Sequence, residues 1–140
     1  MFEPAKALFE KLKAKAGAIL DLKDASGGFF LRTLNKTADY TCVRGDSGTI
    51  FSTRGAVGAV IFTLPAVTKG WWAIFVAGAA QNLTVTAPTA DTLIAFADIA
   101  ADSLAIDANQ PADAIFVFCD GVQYHASQWP NLATDFTVAT

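Results

Sequence analysis

The sequence predicts a mainly β protein, an antiparallel sandwich or barrel-like body over 37–140, preceded by an amphipathic helical arm and linker over 1–36. Three observations carry this. From Thr37 onward, short runs rich in β-branched and aromatic residues alternate with glycine, proline, asparagine or aspartate, as strands alternate with turns. Before that point the apolar residues recur at helical spacing. Charge divides at the same place: 1–36 hold seven lysines and arginines against four acids, and the remainder holds three against nine aspartates.

In the arm, Pro4 suits a first helical turn, and Phe2, Ala5, Leu8, Phe9, Leu12, Ala16, Ile19 and Leu20 form one apolar stripe. Lys6, Lys11, Lys13 and Lys15 lie mostly off it. Gly17 weakens the last turn, and Ser26-Gly27-Gly28 reads as a hinge. Such a helix can lie on an anionic membrane or dock on protein. Its moderate charge and the interrupting glycine favour protein, which makes Phe2, Lys6, Leu8, Phe9, Lys11, Leu12, Lys13 and Lys15 the candidate partner-binding residues.

In the body, strands are expected near 40–44, 49–52, 59–64, 71–77, 83–87, 92–96, 114–119 and 123–127. Asp120-Gly121 should join the last two as a tight hairpin, because that turn needs residues tolerant of positive φ. The alanine- and aspartate-rich stretch 97–114 reads as a loop with a short helix or strand around 104–106. Two of the strands are apolar on both faces. One alternates Trp72, Ile74 and Val76 with Trp71, Ala73 and Phe75; the other alternates Ile115, Val117 and Cys119 with Phe116 and Phe118.

An antiparallel strand with one wet face alternates apolar with polar residues, so the second face of these two needs a cover. Hydrophobic residues make up 53% of the 140 and charged residues only 16%, below the roughly 25% of an average soluble domain. Burial between copies of the chain answers both facts and names Trp71, Trp72, Phe75, Phe116 and Phe118 as subunit-interface candidates.

Lipid is not the expected cover, since no run approaches the roughly 20 apolar residues of a membrane-spanning helix. The opening residues lack the compact apolar stretch and small-residue cleavage site of a secretory signal, so synthesis in a cytoplasm is expected. Cys42 and Cys119 stand apart in apolar runs and read as buried thiols. The acidic body argues against nucleic acid, which needs positive surface.

No catalytic constellation is announced, and neither metal nor cofactor is expected. His125 is the single histidine, too few for a zinc site and unaccompanied for a triad. Asp98, Asp102 and Asp107 do not follow calcium-loop spacing. Gly45-Asp46-Ser47-Gly48 and Gly55-Ala56-Val57-Gly58 lack the lysine and following helix of a phosphate loop and read as turns. Arg44-Gly45-Asp46 spells an adhesion tripeptide of a kind that arises by chance. The acceptor patterns Asn35-Lys36-Thr37 and Asn82-Leu83-Thr84 carry no meaning without secretion. Trp71-Trp72 cannot form one flat sugar platform, because neighbours in a strand point to opposite faces.

Three phrases resemble a pattern of tailed-bacteriophage virion proteins: Asp46-Ser47-Gly48-Thr49-Ile50-Phe51, then Gly55-Ala56-Val57-Gly58-Ala59-Val60-Ile61-Phe62-Thr63-Leu64-Pro65, then Ala79-Ala80-Gln81-Asn82-Leu83-Thr84-Val85. Phe118-Cys119-Asp120-Gly121-Val122-Gln123-Tyr124 resembles the closing hairpin of the same pattern. The match covers roughly 38–128, and its phrases recur in head-decoration (cement) proteins and in tail-fibre or appendage modules. Small size and the absence of a long shaft are more similar to head decoration. The resemblance implies a β-sandwich or barrel-like body, a homotrimer seated where major capsid protein subunits meet, a place on the virion capsid surface, and no catalytic residues. A tail or neck appendage, receptor-binding in some cases, is the alternative it leaves open.

Overall fold

The computed structural model describes residues 31–108, 111–129 and 136–140. The expected helical arm, with Phe2, Lys6, Leu8, Phe9, Lys11, Leu12, Lys13 and Lys15, and the Ser26-Gly27-Gly28 hinge lie outside them. The strands are β1 (Arg32–Asn35), β2 (Tyr40–Thr41), β3 (Thr49–Ser52), β4 (Val60–Thr63), β5 (Trp72–Val76), β6 (Leu83–Thr86), β7 (Leu93–Ala95), β8 (Asp98–Ala101), β9 (Ser103–Ile106), β10 (Ala114–Cys119), β11 (Tyr124–Trp129) and β12 (Phe136–Ala139). A short 3-10 turn occupies Arg44–Asp46. Because β1 already belongs to a sheet, the body starts before the expected boundary at 37.

Two sheets result, in the orders β1-β3-β5-β10-β11-β7-β8 and β12-β9-β6-β4-β2. The expectation of an antiparallel body holds for only part of them. β1, β3 and β5 run parallel, as do β2, β4 and β6. Through the first six strands the chain crosses to the other sheet after every strand, so each return to a sheet repeats the same direction. This winds the first half into a two-sheet coil. The intervening strand of the opposite sheet serves as the crossover that parallel neighbours require. β10 closes against β5 and β11 against β10, both antiparallel, and β9 and β12 extend the second sheet the same way.

The pleat puts alternate residues inward, and register aligns them across strands. Leu34, Phe51, Phe75 and Ile115 form one inward row, and Tyr40, Phe62, Val85 and Leu104 face it from the other sheet. Phe51 stacks on Phe75 with centroids 5.3 Å apart and planes 8° from parallel. Phe62 crosses the gap to meet both, at 5.3 and 4.9 Å. Truncating one such ring to alanine would cost about 3–5 kcal/mol. Trp71 and Tyr124 meet edge to face at 5.8 Å, and each finds an acceptor for its polar tip: Trp71 Nε1 donates to Val43 O and Tyr124 OH to Pro65 O.

Two turns differ from expectation. Asp120 N–H donates to Gln123 O, so the residues between β10 and β11 at the tip are Gly121 and Val122, with Gly121 at φ +104°. The glycine takes the first central position and Asp120 braces the turn from outside. Within 97–114, the short element expected around 104–106 is β9, and the rest, expected to be loop, also forms β8. The tip between β7 and β8 is Phe96 and Ala97, at φ +50° and +68°, a left-handed pair without a glycine.

Candidate functional site: the outer face of the seven-stranded sheet

The alternation that fills the core decides which aromatic side chains remain outside it. Trp71 and Phe75, expected at a subunit interface, are 1% and 0% exposed and belong to the core of the body itself. They point inward and cannot reach a neighbour, which corrects the expectation for these two. Trp72, Phe116 and Phe118 have the opposite parity and point out. Their cross-strand partners are set by register: Phe118 lies beside Trp72 and His125, and Phe116 beside Ile74 and Ser127.

The outcome is a continuous aromatic path across three strands. Trp72 and Phe116 are 6.3 Å apart, Phe116 and Phe118 6.2 Å, and Phe118 and the imidazole of His125 4.7 Å. Ile50, Ile74 and Val76 flank it, half-buried. Phe118 is 40% exposed, and at the far end of β11 Trp129 is 61% exposed. Trp129 was not anticipated, because the expected last strand stopped at 127; the alternation of His125, Ser127 and Trp129 was the signal that could have found it.

The outer face of the five-stranded sheet has the contrary chemistry. Register aligns Thr41, Thr63, Thr86 and Ser103 in one row and Ile61, Thr84, Ala105 and Thr137 in the next. Hydroxyl groups predominate there, and such a face is content in water. One face of the body thus alternates inward-apolar with outward-polar in the ordinary way, and the other does not.

The outward positions of β3, β5, β10 and β11 carry no lysine, arginine, aspartate or glutamate; their one titratable group is His125. Its Nε2 sits 2.7 Å from Asp120 Oδ2, while Asp120 Oδ1 accepts the N–H groups of Val122 and Gln123 at 2.7 and 2.9 Å. The hydrogen bond from His125, then those from the Gln123 and Val122 amides, hold this carboxyl well below the usual carboxylate range. Asp120 thus meets the path only at its His125 end, where its charge is paired with the imidazole.

The β1 and β2 edges of the two sheets are blunted. β1 brings Arg32 to its edge and is followed by Lys36. β2 is only two residues long, and where it stops short the carboxylate of Asp39 takes the N–H of Ile61 at 2.9 Å. Charge, shortness and a plugged donor all discourage the addition of a further strand.

Asp46, 2% exposed, accepts from Val43 N–H at 2.9 Å and Tyr40 OH at 3.0 Å and lies 3.5 Å from Arg32. The Arg44-Gly45-Asp46 tripeptide therefore turns its aspartate inward as a structural hub, not as a displayed ligand. A groove of about 760 Å³ runs along the loops after β2, β4 and β6, lined by residues including Val43, Leu64, Pro65 and Val67, with Arg44 its one charged residue. It brings together no acid–base pair. Among the described residues no group of three histidines, cysteines, aspartates or glutamates is placed to hold a metal. Cys42 and Cys119 are buried free thiols. No protein-family model matches the chain, and no curated protein matches its sequence.

Proposed function

We propose that the chain is a structural virion protein, a capsid decoration or cement protein that assembles as a homotrimer and stabilises a phage head by binding major capsid protein. One observation carries this reading: the two outer faces of the body differ in kind, a hydroxyl-bearing one suited to water and an aromatic one that is not. A protein whose work is contact needs such a face and needs no reactive cleft. Contacts repeated over a symmetric shell would add through avidity, so each can be modest. The sequence resemblance to head-decoration proteins supports the same reading, with the lysine-bearing segment before the body as the capsid-binding arm.

A second reading, a tail or neck appendage, is favoured by the wound first half of the body. Parallel coils lengthen along an axis by adding turns, which suits an elongated appendage. Electron microscopy of particles with and without the chain distinguishes the two. Difference density where capsid subunits meet at threefold positions is the expected result; density confined to the tail transfers the chain to the appendage class, and its absence from particles overturns both.

A further inference from the structure

On the reading that this chain works by assembly, we propose that the occupant of the seven-stranded sheet's outer face is a second copy of the chain, anchored by Trp72, Phe116, Phe118 and Trp129. Charge selects that occupant. Over 31–140 the body has five basic residues against nine aspartates, so two copies repel through any surface that bears those carboxylates. The outward positions of β3, β5, β10 and β11 bear none, and here alone among the two broad faces aromatic side chains stand ready to be desolvated. A basic partner, by contrast, is recognised by the aspartates, of which Asp120 touches this face, at its rim and paired with His125. Aromatic residues at the centre of an uncharged patch are also the composition from which interface hot spots are drawn.

Face packing is the proposed mode, and at the β1 and β2 edges strand addition does not compete with it, because Arg32, Lys36 and the Asp39 plug on Ile61 blunt those two ends. Seven strands spaced about 4.8 Å apart and about five residues long present roughly 500 Å² of projected face. Two copies then bury on the order of 1,000 Å² together, the weak end of specific contacts. Association in solution is accordingly reversible and concentration-dependent, and crowding of copies on a shell completes it.

Sedimentation of the full chain from micromolar to submillimolar concentration reads this directly, beside the double variant Phe118→Thr/Trp129→Thr and the control Ile61→Thr on the hydroxyl-bearing face. Threonine keeps the strand propensity at these outward sites, and matching thermal melts verify that all three fold. The wild type and Ile61→Thr should gain mass with concentration, and the double variant should associate at least about tenfold more weakly. A wild type that stays monomeric throughout, or a double variant that associates as the wild type does, overturns the proposal. So does a wild type that is monomeric alone but binds another virion protein through Phe118 and Trp129, since that gives the face to a different occupant. Particle composition, measured in parallel, separates this from the virion role: a monomer present in particles sinks the face alone, and an oligomer absent from them sinks the virion role alone.

Discussion

The imidazole of His125 lies flat on the ring of Phe118, 4° from parallel, while its Nε2 holds the carboxylate of Asp120. This arrangement fixes the tip of the β10–β11 hairpin from the outside and leaves Asp120 with three donors. The native carboxyl binds its proton more weakly than the unfolded one, whose pKa is about 3.9. Its stabilisation is therefore present above about pH 4 and fades as pH falls below that. Asp120→Asn should flatten the loss of stability in acid, seen as a smaller difference between urea midpoints at about pH 3 and about pH 7.

Asp46 is the second place where one carboxylate organises a turn. Asp46→Ala strands the Val43 N–H and the Tyr40 hydroxyl and should lower stability by roughly 2–3 kcal/mol, and Tyr40→Phe, which removes one partner, by about 1 kcal/mol. Denaturant unfolding measures both. Equal losses in the two variants would show that the aspartate does not act as a hub.

The left-handed pair at the β7–β8 turn offers a gain. Ala97 at φ +68° adopts a conformation that costs an L-residue about 1–2 kcal/mol and a glycine little. Ala97→Gly should raise the unfolding midpoint, by the equivalent of about 1 kcal/mol. A decrease would mean that the alanine methyl contributes more than the backbone loses.

Gly78 is constrained by space. A Cβ there would lie 2.5 Å from the Arg54 amide nitrogen and 2.8 Å from Arg54 Cα, both backbone atoms that cannot swing away. Gly78→Ala should therefore destabilise by about 1–3 kcal/mol, detectable by thermal melting.

Burial pushes the Cys42 thiol up to about 12, with the nearby Asp46 charge adding to it. The unfolded thiol ionises near 8.5. The native state thus retains a proton that the unfolded state releases, and stability falls as pH rises from about 8.5 toward about 12. Cys42→Ala should make the alkaline decline shallower, and a thiol reagent at neutral pH should label Cys42 only as fast as the protein opens.

Much of the body was legible because period-two patterning states which residues lie in strands. The expected runs 49–52 and 114–119 coincide with β3 and β10. Strand direction was not legible, since Val60–Thr63 and Trp72–Val76 look the same in either orientation; only the chain's habit of changing sheets decides it. β8 was obscured because Phe96-Ala97 lacks the glycine or asparagine that marks a hairpin, whereas β9 falls where a short helix or strand is expected, around 104–106. Of the association candidates, the two-sided apolar pattern located the right strands but could not say which parity faced inward. That choice is made by Phe62 across the gap, whose ring requires Phe51 and Phe75 and so turns Trp72, Phe116 and Phe118 outward.

The winding of β1 to β6 makes the first half of the body modular. Each rung is a copy of its neighbour in side-chain parity, with Leu34, Phe51 and Phe75 stacked above one another and Tyr40, Phe62 and Val85 likewise. Duplicating or deleting one entire circuit would lengthen or shorten the molecule while every inward row stayed inward, whereas inserting a single residue into a strand would swap its two sides. Growth by whole circuits is thus the route by which such a chain changes height without losing its interior.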